Sequence, residues 1–337
     1  MSYEPKTTQE VADGLAAHGY LADEGLVTAV FLALTLHRPL FLEGEAGVGK
    51  TELALRWAES RGAEIVSCDS LLFYQGMNIG TAKPTAAELA RVPHHLIDIC
   101  AVSAQMDVAT YLAKARHAVE DIVARGHPVL VTGGSGFYLK AFFSPIADEV
   151  EVSAELRAEL RARLSAEGLG KLVDELRALN PAGLGALDMQ NPRRVLRALE
   201  RCRSSGLTLA VLQANFAAQP AAFADWSVQL CELVRPPEEL DQRIAQRVAQ
   251  MMAAGLIEEV RALIAQGLTA QSSAARAIGY RETIDFIEGR ITAEALAPSI
   301  VQHTRALVKK QRTWFKTQLP AHRQLAAGTT QVGDLFG

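Results

Sequence analysis

The chain has 337 residues, 49% of them hydrophobic and 21% charged, which supplies core for one large domain plus a smaller one and excludes a chain disordered throughout. Its formal net charge of −4 does not mark a nucleic-acid binder, although such binding depends on where basic residues gather. The apolar stretch 26–36 is shorter than the ~20 residues a membrane span needs, residues 1–20 hold acids and no basic leader, and Cys68, Cys100, Cys202 and Cys231 form no CxxC pair or zinc spacing, so a cytoplasmic protein with free thiols and no membrane association is expected.

Residues 7–18 and 25–37 read as helices, the second ended by Arg38-Pro39. Residues 40–42 read as a short buried strand, followed by a glycine-rich loop and a helix over about 50–60. Residues 64–67 predict a second strand and 95–99 a third. An amphipathic helix over 111–125 stops at Gly126, and the apolar run 128–132 predicts a fourth strand entering Gly133-Gly134. This alternation predicts an α/β fold, a P-loop NTPase-like parallel sheet flanked by helices. Beyond about residue 150 the texture changes. Residues 154–213 read as almost all helical, 228–234 as one more strand, and 237–316 as helices. The expected organisation is an extra N-terminal helical segment (1–37), an α/β catalytic core (38–150 and 216–320), an all-helical insertion domain (151–215) and a loose tail (321–337).

Gly44-Glu45-Ala46-Gly47-Val48-Gly49-Lys50-Thr51 fits G-x-x-x-x-G-K-[ST], after a predicted strand and at the start of a helix. Glycines let successive backbone N–H groups converge on phosphate oxygens, and the helix N-terminus adds its positive end. Lys50 would neutralise terminal phosphates, and the Thr51 hydroxyl would meet Mg²⁺ or phosphate. No apolar strand ending in an acid follows that would hold Mg²⁺ and polarise water for hydrolysis: 129–132 ends in Thr132, then Gly133. The bound phosphate is therefore read as a leaving group.

Further blocks follow in order: Ser67-Cys68-Asp69-Ser70 leading to Gly76-Met77-Asn78-Ile79-Gly80-Thr81-Ala82-Lys83-Pro84; Val92-Pro93-His94-His95-Leu96-Ile97-Asp98; Gly133-Gly134-Ser135-Gly136-Phe137-Tyr138; Asn191-Pro192-Arg193-Arg194; Ala277-Ile278-Gly279-Tyr280-Arg281-Glu282; and Gln311-Arg312-Thr313-Trp314-Phe315. Over about residues 52–320 the chain resembles the bacterial tRNA dimethylallyltransferase family. Residues 1–51 resemble instead the N-terminus of a MoxR-type AAA+ ATPase. Where the family writes G-P-T-A-S-G-K-[ST], this chain carries Glu45, Ala46, Gly47 and Val48 in place of Pro, Thr, Ala and Ser.

The resemblance implies transfer of a dimethylallyl group from dimethylallyl pyrophosphate to the exocyclic amine of adenosine 37, in tRNAs reading codons that begin with U. It implies Mg²⁺, a tRNA anticodon loop as partner, and a monomer. Asp69 is the implied general base; as a lone acid after a strand it is equally a helix cap or an Mg²⁺ ligand. Lys50, Thr51 and Ser135 are the implied catalytic helpers. The implied tRNA contacts are Asp69, Ser70, Leu71, Leu72, Ser135, Arg157, Gln190, Asn191, Pro192, Arg193, Arg194, Arg276, Ala277, Ile278, Gly279, Tyr280 and Arg281. The alternatives are a MoxR-like AAA+ ATPase, an inactive hybrid that binds phosphate, and a transferase acting on free adenylate. The long helical insertion favours a large nucleic-acid acceptor over a mononucleotide.

Overall fold

The computed structural model describes residues 40–44, 50–104, 106–146, 150–270 and 272–336. The predicted helices at 7–18 and 25–37, most of the segment 1–51 that resembles an AAA+ N-terminus, and Glu45 to Gly49 of the phosphate loop lie outside the described residues. Six strands form one sheet: β1 (Leu40–Gly44), β2 (Glu64–Ser67), β3 (His94–His95), β4 (Val129–Gly133), β5 (Gln229–Val234) and β6 (Arg323–Ala326). Their order is β3-β2-β4-β1-β5-β6, and every pairing is parallel.

Parallel strands need long crossovers, and here helices supply them on both faces. Successive strand residues point to opposite faces. Phe41, Val66, Val129, Val131 and Leu230 join the larger core, whereas Leu42, Ile65, Leu130, Cys231 and Leu233 join the smaller one. The smaller core is covered by helix α1 (Lys50–Arg61) through Ala54, Leu55, Trp57 and Ala58. The larger core takes α3 (Val108–Ala124), capped by the Asp107 side chain, with α2 (Ala86–Arg91) preceding it in the chain. Further along come α4 (Gly136–Lys140) and, after the helical unit described below, α9 (Pro237–Ala253), α10 (Leu256–Ala265), α11 (Ser272–Ala275), α12 (Tyr280–Ile287) and α13 (Ala293–Gln318). No helix among the described residues is long and apolar enough to cross a membrane.

Two expectations are corrected. The third strand is only His94–His95, because Leu96 (φ 63°) and Asp98 (φ 54°) turn left-handed and end it. The C-terminal residues are not a loose tail. Residues 323–326 form β6 against β5, Leu335 is fully buried, and Phe336 meets Trp57 edge-on at 5.4 Å. The alternation of Leu325 and Ala327 toward the smaller core was the missed signal.

Ser144–Ala221 is a second compact unit, all helical: α5 (Ala154–Glu167), α6 (Leu169–Leu179), α7 (Pro192–Ser205) and α8 (Leu209–Ala218). Its own core gathers Leu160, Leu172, Leu176, Val195, Leu199 and Leu212. Asn180, 3% exposed, ties it together: its amide donates to the Leu176 carbonyl at 2.7 Å and accepts the Leu209 N–H at 2.6 Å. A buried amide with both ends paired fixes how α6 meets α8.

Candidate active site

In open parallel sheets, ligands bind beyond the carboxyl ends of the strands. Here β1 ends at Gly44 and α1 opens at Lys50 and Thr51, with Lys50 half-buried and Thr51 exposed at the helix start. β2, separated from β1 by β4, ends at the same edge of the parallel sheet and leads into Asp69, which is half-buried. Its Oδ1 accepts the Leu71 N–H at 3.0 Å, which locks the turn and leaves Oδ2 for other work.

The neighbouring end of β4 comes very close. The Cys68 N–H donates to the Thr132 carbonyl at 2.6 Å, and a Cβ built on Gly133 would lie 2.2 Å from the Cys68 carbonyl oxygen. Only glycine permits that approach. Ser135 follows and accepts the Ser70 N–H at 2.9 Å, while its hydroxyl donates to Ser70 Oγ at 3.0 Å. The Asp69–Leu72 turn and Ser135 thus form one constellation. Beneath it, Tyr111 donates its hydroxyl to the Ser67 carbonyl at 3.1 Å and stacks on Phe73. Burial drives the Tyr111 phenol far above its usual range, so it stays a donor.

Helix α9 adds Arg247, which sequence reasoning missed. Leu240, Ile244, Val248 and Met251 form its buried stripe, and Arg247 falls on the flank of that stripe. A charge at an apolar-stripe position was the available signal. Its Nη2 donates to the Thr81 carbonyl at 3.1 Å. Burial pulls its guanidinium below the usual arginine range, and the Asp69 charge opposes that shift. Arginine keeps its charge even so.

Helix α13 closes another side. Gln311 Nε2 donates to the Gly134 carbonyl at 2.6 Å, and Arg312 Nη2 donates to the Arg235 carbonyl at 3.1 Å. Phe315 is fully buried and Trp314 half-buried, whereas Lys309, Lys310 and Lys316 are exposed. His94 and His95 are structural: His94 Nδ1 meets the Val92 carbonyl at 2.7 Å, and His95 Nε2 meets Glu64 at 2.6 Å.

The remaining sequence-derived residues fall in two places. In the core, Arg276 is exposed and Ile278 half-buried, whereas Ala277 and Gly279 are buried. Tyr280 is fully buried, and Arg281 pairs with Glu282 at 2.5 Å. In the helical unit, Arg157 is partly exposed on α5. Gln190, Pro192, Arg193 and Arg194 are exposed, and Asn191 caps α7 by accepting the Arg193 and Arg194 N–H groups at 3.1 and 3.3 Å. Asn191 also lines an open groove of about 600 Å³ whose wall includes Arg193, Arg194, Arg197 and Arg201. Arg194, Arg197 and Arg201, three and four residues apart on one helix, share a face, and Arg193 lies four residues before Arg197.

The family model described as IPP transferase matches residues 72–318, well over half of the chain. A tRNA dimethylallyltransferase of Opitutus terrae is 63% identical over 296 residues, covering 88% of this chain and 95% of that protein. One of Deinococcus radiodurans is 38% identical, covering 84% and 91%. The crystal structure of a full-length tRNA isopentenylpyrophosphate transferase from Bacillus halodurans superposes with a TM-score of 0.63 at 31% identity, covering 86% of this chain and 90% of that one. A eukaryotic dimethylallyltransferase acting on tRNA gives a TM-score of 0.73 at 22% identity, covering 86% and 74%, which speaks to the fold alone.

Proposed function

The chain belongs to the IPP transferase family, and from that premise we propose that it moves a dimethylallyl group from its pyrophosphate ester to the exocyclic amine of an anticodon-loop adenosine in tRNA. The observation that carries this reading is the Asp69–Ser70 turn stapled to Ser135 beyond the ends of β2 and β4, with Arg247 held on the Thr81 carbonyl, in the sheet whose central strand leads into the phosphate loop. The AAA+ alternative is not favoured, since the matching family and relatives are transferases.

Each group has a task. The adenine amine is a poor nucleophile because its lone pair is delocalised into the ring. As the N–C bond forms, the amine proton passes to the Asp69 carboxylate. The allylic C–O bond breaks, and its electron pair leaves with pyrophosphate. Lys50 and Arg247 neutralise the charge that develops there, and the helix N-terminus at α1 adds backbone donors. Ser135 holds the Ser70 turn and offers a hydroxyl beside the reacting groups. The product is N6-isopentenyladenosine.

The metal reading is Mg²⁺. Among the described residues no group of three or more His, Cys, Asp or Glu forms a cage. The Thr51 hydroxyl at the helix start is a hard oxygen donor, which would suit an ion held by one protein oxygen together with phosphate oxygens and water. When bound, it supplies positive charge to the pyrophosphate.

The acceptor requires the target base to leave its stack, and loops are read through base edges and stacking. Arg193 and Arg194 on α7 supply phosphate contacts from the helical unit, with Arg157, Gln190, Asn191 and Pro192 beside them in the reading. From the core Arg276 and Arg281 contribute, whereas Tyr280, read from the sequence as a contact, is fully buried against Glu259 and supports them from within. The protein acts as a monomer in the cytoplasm. Incubation with labelled dimethylallyl pyrophosphate and unmodified tRNA, followed by digestion, tests the reading. Prenylated adenosine is expected. Robust tRNA-independent ATP hydrolysis without prenyl transfer would overturn it.

A further inference from the structure

The loop from Gly76 to Lys83 is held by an unusual internal clamp. The Glu259 carboxylate, on α10, accepts the Asn78 and Ile79 N–H groups at 3.1 and 2.8 Å through Oε2. Through Oε1 it accepts the Gly80 N–H at 3.3 Å and the Tyr280 hydroxyl at 2.7 Å. Three successive backbone N–H groups pointing one way make a concavity for an anion, and here the chain fills it with its own carboxylate. Tyr280 closes the other side. It is fully buried, its phenol is driven up by burial and by Glu259, and a Cβ on Gly80 would lie 2.4 Å from its ring.

The clamped loop turns back sharply. Ala82 is left-handed (φ 48°), the Thr81 hydroxyl donates to the Met77 carbonyl at 2.7 Å, and Lys83 binds the Tyr74 carbonyl at 2.9 Å and the Asp98 carboxylate. The outcome is a Thr81 carbonyl fixed in space, and that carbonyl accepts Arg247 Nη2. α9 therefore brings Arg247 and α10 brings Glu259 to the same loop. The hairpin between these helices turns at Gly255 (φ 93°).

We propose that Glu259 is a positioning residue of the transfer reaction: it sets the loop whose Thr81 carbonyl aims Arg247 at the Asp69 site. The inference rests on the reading of Arg247 as a leaving-group partner. A long arginine held at one end by a rigid acceptor loses little rotamer freedom when it meets its anion, and sub-ångström placement governs the rate of the chemical step. Loss of the clamp should therefore act on the pyrophosphate side of the reaction and spare tRNA affinity, most of which comes from phosphate contacts elsewhere.

The test is a kinetic cycle in the full-length enzyme. E259A should raise KM for dimethylallyl pyrophosphate and lower the single-turnover rate, each by about tenfold, with KM for tRNA changed less than about twofold. E259Q should restore most of both. Its oxygen can accept the Asn78 and Ile79 N–H groups and its amide can donate to the Tyr280 oxygen, so that only the 3.3 Å bond from the Gly80 N–H is lost. Y280F, which removes one donor and keeps the ring, should show a smaller loss of the same kind, so a poorly folding E259A does not blunt the test. R247A/E259A should be no slower than R247A alone. Multiplicative losses in the double variant, or wild-type kinetics in both E259A and Y280F, would overturn the inference. Undiminished turnover in R247A would overturn the reading beneath it.

Discussion

The Ser135 hydroxyl bridges to Ser70 twice, accepting its backbone N–H at 2.9 Å and donating to its side-chain oxygen at 3.0 Å. It thereby staples the turn carrying Asp69 to the loop after β4. Ser135→Ala should slow single-turnover transfer about 5–20-fold, the worth of losing one or two half-buried hydrogen bonds. Ser135→Thr keeps the hydroxyl and should stay close to the parent rate. Equal rates for all three enzymes would remove Ser135 from the site.

Asp69→Asn preserves size and the bond from the Leu71 N–H but removes the proton acceptor. Substrates should still bind while the chemical step slows roughly 10²–10⁴-fold. A carboxylate acting only as a metal ligand would behave differently, with weaker pyrophosphate binding and a rate partly restored by added Mg²⁺. Single-turnover rates across a Mg²⁺ series separate the two, and a large rescue would exclude the base role.

Lys50 opens α1 where the phosphate loop meets the helix. Lys50→Ala should weaken dimethylallyl pyrophosphate binding and cut kcat/KM by about 100-fold or more, since a positive charge placed at a leaving group is among the larger catalytic contributions. Equilibrium binding of the pyrophosphate ester, measured beside turnover, checks this. Turnover at the parent rate would make the loop dispensable.

Glu64 gives a pH prediction. Its carboxylate is 5% exposed and bound by Arg125 at 2.8 Å, His95 at 2.6 Å and His127 at 3.3 Å. Burial alone would raise its pKa, but the hydrogen bonds from Arg125 and His95 outweigh it and hold the carboxyl below its usual value. A depressed carboxylate stabilises the fold fully above its unfolded pKa, and the contribution fades as pH falls through the folded value. Glu64→Gln should therefore lower stability at pH 7 by about 1–3 kcal/mol, with the difference from the parent closing below about pH 4. Urea midpoints at both pH values decide it; a gap that widens in acid would contradict the argument.

The C-terminal segment should be a structural part of the core. Leu335 is fully buried, and its carbonyl accepts the Cys231 thiol at 2.7 Å. Leu335→Ala should cost about 2–4 kcal/mol, the range for emptying a leucine site. A loose tail would show no shift in the denaturation midpoint.

Much of this protein was legible in its sequence because the signals are local. A buried parallel strand must be apolar on both faces, so β1, β2, β4 and β5 could be read within a residue or two. The run from Gly44 to Thr51 names a phosphate site by its own spacing, and Asp69 and Ser135 were marked by the motifs around them. What only the tertiary structure decided involves residues far apart in the chain. Arg247 reaches the loop at Thr81 across 166 positions, and Glu259 reaches Asn78 across 181. Neither pairing has a sequence period, because each depends on where two helices land on the sheet. The strand expected at 95–99 ended early for the same reason: Lys83 and the Tyr74–Cys100 bridge hold that segment in a left-handed turn its apolar letters do not encode. The edge strand β6, too, is polar enough to resemble a tail, and becomes a strand because the backbone of β5 is there to pair with it.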